Sequence, residues 1–142
     1  MVIVAAIDTT DHATRVVAEG ATLAERFNDD LHVLHVIPKS DYADLVKEYA
    51  EQWEAIEGDD METIAREVAA AAAAGVTDEY HPATVVGDES EEILSYAADH
   101  DARYIVMGGR KRSPVGKVMF GSVAQSVLLG SDRPVLLVMN EE

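Results

Sequence analysis

The sequence predicts an α/β protein with a parallel sheet and helices on both of its faces. Three observations carry this. Five short apolar runs recur along the 142 residues, and helical patterns separate each from the next. Such alternation with helical crossovers builds parallel sheets. The first and last runs, VIVAAI and PVLLVM, are continuous rather than alternating, as in strands covered on both faces.

Val2 to Ile7 is the first strand, followed by the cap-forming cluster Asp8-Thr9-Thr10-Asp11. From His12 to Phe27, Ala13, Val16, Val17, Leu23, Ala24 and Phe27 recur at helical spacing, and Asn28-Asp29-Asp30 ends that helix. Leu31 to Ile37 reads as the second strand and Pro38 stops it. Between Lys39 and Asp60 a helix over DYADLVKEYAEQWEAI has Tyr42, Leu45, Val46, Tyr49, Trp53 and Ile56 along one stripe. Gly58-Asp59-Asp60 interrupts it, and a helix resumes from Met61 to Ala74. Its six-alanine run ends on Gly75, a common residue just past a helix end. A long loop or bent helix here could cover a pocket.

Thr77 to Val86 is the third strand, and Pro82 marks it as an edge strand. Gly87 to Ser90 turns and caps a helix over Glu91 to Asp99, with Asp88 best placed as the cap. Arg103 to Met107 is the fourth strand, breaking on Gly108-Gly109. A basic loop follows, then a helix over Val123 to Leu129, then the fifth strand from Pro134 to Met139.

Composition bounds the function. One domain over residues 1–142 is expected, with a core of its own. No cysteine is present, so disulfide and thiolate chemistry are excluded. The opening run stops at Asp8, too short for a signal or membrane segment, so a cytoplasmic protein is expected. The net charge of −16 argues against nucleic-acid binding, which needs a basic face. The acidity fits either a solvated surface or adaptation to a very salty cytoplasm, and the scarcity of lysine favours the second.

The chemistry concentrates between Tyr104 and Leu129. Strand, glycine loop and helix N-terminus form a recipe for holding phosphate, because free first-turn N–H groups point at the anion. Arg110, Lys111, Arg112 and Lys117 are four of only eleven basic residues in the chain. In doubly wound sheets, ligands bind beyond the carboxyl ends of the strands, where the strand order reverses. If the order is 3-2-1-4-5, Asp8 and Gly108 flank that point.

These residues resemble the universal stress protein family. Its nucleotide-binding members carry Gly-x-x-Gly, nine residues, then Gly followed by Ser or Thr. Gly108 matches the first glycine and Gly121-Ser122 the last pair, while Lys111 stands at the second glycine. The opening run into Asp8, the LHVI ending of the second strand, the VVGD turn at Val85 to Asp88 and the closing DRPVLLV extend the resemblance along the chain.

The resemblance implies a three-layer, five-stranded sheet of order 3-2-1-4-5, of the adenine-nucleotide alpha-hydrolase-like type. It implies ATP, with magnesium or manganese carried by the phosphates, across the ends of strands one and four. Ala6, Ile7 and Asp8 would line the adenosine side, and Val36 would meet the base through its backbone. Met107 and Gly108 would lie under the nucleotide. Gly121, Ser122 and Val123 would hold phosphates, with charge from Arg110 and Lys111. It also implies a homodimer, and the apolar last strand, residues 134–139, is the edge expected to pair. Lys111 leaves a second outcome open: a member without bound nucleotide that serves as an interaction module for a protein partner.

Other constellations carry less. A receiver domain would need an acidic pair after the first strand, an aspartate after the third and a lysine after the fifth, a set absent here. His32 and His35, three apart on a strand, face opposite sides and cannot share a metal. No Gly-x-x-x-x-Gly-Lys-Ser/Thr motif occurs. A transferase or pyrophosphatase of the wider superfamily would need substrate residues that are not found. No nucleophile–base pair is evident, so at most slow, incidental ATP hydrolysis is expected.

Overall fold

A computed structural model describes residues 1–52, 58–110 and 121–140. The strands are β1 (Val2–Ile7), β2 (Asp30–Ile37), β3 (His81–Val86), β4 (Ala102–Arg110) and β5 (Val135–Asn140). The helices are α1 (Ala13–Phe27), α2 (Lys39–Gln52), α3 (Gly58–Ala73), α4 (Glu89–Asp99) and α5 (Ser122–Gly130). All strand pairings are parallel, in the order β3-β2-β1-β4-β5.

The side-chain period of two sorts each strand between two apolar layers. Ile3, Ala5, Leu31, Val33, Val106 and Val138 pack with α1 and α3. Val4, Leu34, Val36, Ile105 and Met107 pack with Ile93 and Ala97 of α4 and Ala124 and Val127 of α5. Burying each valine, leucine, isoleucine or methionine side chain among them contributes about 1.5–3 kcal/mol. The alanine run of α3 supplies Ala69, Ala72 and Ala73 to the first layer, where small side chains allow close approach. Gly20 of α1 does the same: a Cβ there would lie 3.0 Å from the Leu31 side chain.

Several element boundaries differ from expectation. β3 begins at His81, not Thr77, because the preceding residues turn. Gly75 takes φ +76, and Thr77 Oγ1 accepts from the Glu79 N–H at 3.0 Å. Gly58, Asp59 and Asp60, expected to interrupt the helix, are themselves helical and belong to α3. β4 does not break on its glycines but runs through them to Arg110, pairing Gly108 with Val138 and Gly109 with Met139. Of the stripe expected on α2, Tyr42 is half-buried. Trp53 and Ile56 lie outside the described residues, as does the question of what that segment covers. Asp88 caps α4 as expected, accepting the Glu91 N–H at 3.0 Å. β3, with Pro82, is an edge strand.

Beneath the sheet, one ion pair joins the start of β2 to β4. Arg103 Nε lies 2.6 Å from Asp29 Oδ2, and the Asp29 side chain is only 3% exposed. The guanidinium also stacks over Phe27 at 4.5 Å. Hydrogen bonding to Arg103 outweighs burial and holds the Asp29 carboxyl below the ordinary range. A depressed carboxylate contributes stability above its unfolded pKa, near 3.9, and loses it as pH falls through the lower folded value. Asp29→Asn is therefore expected to lower unfolding free energy at pH 7 in urea titrations. The gap from the native chain closes as the pH is taken below 3.9 through the depressed range; an unchanged gap there contradicts the account.

Candidate functional site

The carboxyl ends of β1 and β4 open into a cavity of about 680 Å3. Nine of the predicted site residues line it together: Ala6, Ile7, Asp8, Val36, Met107, Gly108, Gly121, Ser122 and Val123. They come from four separate stretches, and the crossovers on either side of the β1–β4 pair bring them to one crevice. Arg110 ends β4, with its side chain outside the described residues, and Lys111 lies outside them entirely.

Each wall has a local cause. Asp8 ends β1 and folds its carboxylate back on the next turn, accepting from the Thr10 N–H at 2.9 Å and the Thr10 hydroxyl at 2.6 Å. Val36, Leu34 and Met107 bring the apolar layer up to the cavity floor. Gly121 is the residue before α5, in extended conformation, and its carbonyl accepts the Gln125 N–H at 3.0 Å. The first-turn N–H groups that follow have no acceptor within the helix.

The two glycines of β4 serve close approach rather than a turn. A Cβ on Gly108 would sit 2.7 Å from the His12 ring, and one on Gly109 would sit 2.9 Å from Met139 Sδ. His12 supplies that ring from the N-cap position of α1. It lines the cavity, lies half-buried, and its Nε2 is 2.7 Å from the Val138 carbonyl oxygen. A carbonyl only accepts, so Nε2 carries the proton.

Thr10, Asp11, Glu89, Ile93 and Gly109 also line the cavity, beyond the residues that the sequence pattern singles out. Glu89 has a signal: it opens the helix after the third strand, on the same side of the sheet as the other strand ends. Burial, aided by Asp41, Asp8 and Asp88, pushes its carboxyl pKa up. Glu89, Ser122 and Val123 also form the wall shared with a second, polar cavity of about 570 Å3. Among the described lining residues Asp8, Asp11 and Glu89 are acidic and none is lysine or arginine.

The histidines of β2 separate as expected. His32 Nδ1 lies 2.6 Å from the Tyr96 hydroxyl on the α4 side, while His35 takes the opposite strand parity. No group of three metal-binding side chains gathers among the described residues.

The universal stress protein family model matches residues 1–139. The chain belongs to the universal stress protein family. A universal stress protein of Mycolicibacterium smegmatis is 49% identical over 51 residues, 36% of this chain and 39% of that relative. The aligned part thus spans well under half of that protein. The solved universal stress protein of Archaeoglobus fulgidus shares 27% identity, with a TM-score of 0.69 and 96% of each chain covered. A universal stress protein structure from the same organism, in complex with dAMP, gives a TM-score of 0.63 at 22% identity, covering 96% of this chain and 94% of that one.

The geometry separates two glycines of the family pattern. A Cβ added to Gly121 would meet nothing within 4 Å among the described residues, and the residue has φ −65. Gly121→Val is expected to leave the melting temperature within a few degrees. Gly108→Val meets His12 and costs about 1–3 kcal/mol by overpacking. Thermal unfolding of both variants checks this; equal destabilisation would contradict it.

Proposed function

We propose that this universal stress protein binds an adenine nucleotide, ATP with magnesium or manganese carried by its phosphates. It acts as a dimeric, cytoplasmic stress-response protein and not as a metabolic catalyst. The observation that carries the reading is the cavity shared by the Asp8 end of β1, Gly108 of β4 and the start of α5. Its apolar floor suits a base, and its helix N-terminus suits a phosphate. The dAMP complex of the Archaeoglobus relative supports the same ligand class.

The non-catalytic part of the reading is supported by how the polar groups are used. The Thr10 hydroxyl is engaged with Asp8, and the Nε2 proton of His12 with Val138. None of the described helices is long and apolar enough to cross a membrane.

The acidic lining gives the metal its purpose. Asp8, Asp11 and Glu89 oppose a bare polyphosphate, and a divalent cation offsets that repulsion. The same lining favours one second reading, a family member that binds no nucleotide and docks a protein partner. Calorimetry in high potassium salt separates them. ATP with magnesium is expected to bind, ATP in chelator to bind more weakly, and Glu89→Gln to bind ATP severalfold tighter. No heat up to millimolar ATP would sink the nucleotide reading. Gly121→Val is expected to abolish the heat while the protein stays folded.

Dimerisation through residues 134–139 is supported by the edge position of β5 and by its apolar side chains. The Ile105 N–H bonds the Pro134 carbonyl at 3.0 Å, so by alternation Leu137 presents its N–H outward. Leu129, on the neighbouring α5, is 82% exposed. Leu137→Pro removes an outward donor while leaving the pairing to β4. Light scattering is expected to report a dimer for the native chain and a monomer for this variant; two dimers would refute the strand-pairing interface.

A further inference from the structure

The first turn of α1 touches two things at once. Thr10, Asp11, His12 and Ala13 form one lip of the ligand cavity. From the same turn, side chains reach the far end of β5. His12 Nε2 donates to the Val138 carbonyl at 2.7 Å, and Arg15 Nη1 donates to the Met139 carbonyl at 3.0 Å. His12 and Val138 are 126 positions apart in the chain.

Gly108 completes the contact. It pairs with Val138 in the sheet, and its missing Cβ is the space that the His12 ring occupies. The ring is therefore held between the cavity floor and the edge strand. A shift of the ring toward Gly108 or away from Val138 disturbs one or the other, while its cavity face stays open.

By strand alternation, Val138 directs its carbonyl toward β4 and Met139 directs its carbonyl outward. Arg15 thus caps an outward acceptor on the open edge, and His12 takes a second bond to an inward one. Both bonds anchor the end of β5 that lies next to the cavity.

We infer that His12 is a positioning residue that couples occupancy of the cavity to the order of the β5 edge, with Arg15 as its second tie. A ligand that settles against the α1 lip restrains His12, and the restraint passes to Val138 and Met139. Coupling of this kind is reciprocal: whatever orders the β5 end also favours the liganded lip. The coupling rests on the nucleotide reading of the cavity, but it does not depend on the dimer.

Hydrogen exchange on the full chain, with and without saturating magnesium ATP, tests it. Binding is first verified by calorimetry for each protein. In the native chain, ATP is expected to slow exchange across residues 134–140 by roughly fivefold or more, the lower end of allosteric coupling. His12→Ala is expected to lose that slowing at saturation while residues 2–8 remain protected. His12→Gln, which keeps a donor of similar reach, is expected to restore much of it. Arg15 does not line the cavity, so Arg15→Ala should still bind ATP, weaker by no more than the few-fold that the lost coupling carries, yet show a weaker effect at β5. Verified binding without any change over residues 134–140, or an unchanged effect in folded His12→Ala and Arg15→Ala, overturns the coupling alone. Absence of binding to the native chain overturns the nucleotide reading, and the coupling with it.

Discussion

β1 has nowhere to go but inward. β2 pairs on one side and β4 on the other, and Ile3, Val4 and Ala5 are fully buried between the helix layers. The rest of the architecture depends on that enclosure. Crossovers run one way from β1 to β2 and β3, and the other way to β4 and β5. The two directions part above the β1–β4 pair, leaving a crevice where no helix crosses. The cavity is the consequence of a sheet wound from its middle, and Asp8 stands at its rim because it is the first polar residue after the buried run.

What a sequence discloses follows from the range of the interactions involved. Strand and helix periodicity are local, so the order of strands and helices is legible; that Ala6 to Asp8 and Gly121 to Val123 are neighbours is legible only through the family resemblance. β3 reads too long because Thr77 and Tyr80 are strand-favouring types, while the turn there is decided by Gly75 and the Thr77 hydroxyl. Gly108 and Gly109 look like a loop because glycine usually marks one. Their actual use is steric and depends on partners from α1 and β5, which no local pattern encodes. The role of His12 is hidden from the sequence for the same reason.

Electrostatics divides the molecule into unlike ends. At the amino end of the sheet, Asp29 is matched by Arg103 and its charge is stabilised. At the carboxyl end, Glu89 meets Asp8, Asp41 and Asp88, and its charge is opposed. An unmatched acid at a cavity lip weakens the fold slightly at neutral pH, since a raised carboxyl pKa favours the folded state only while the group is protonated. Such sites are where folds trade stability for ligand discrimination.

The contact between Gly108 and His12 has an evolutionary corollary. Glycine at position 108 is required here by the bulk of the imidazole at position 12 and not by backbone torsion. The two positions are therefore one unit of variation. In this chain a small residue at position 12 would release position 108 from glycine, and keeping the ring keeps the glycine. In this chain Gly108 thus carries the imprint of a side-chain neighbour distant in sequence.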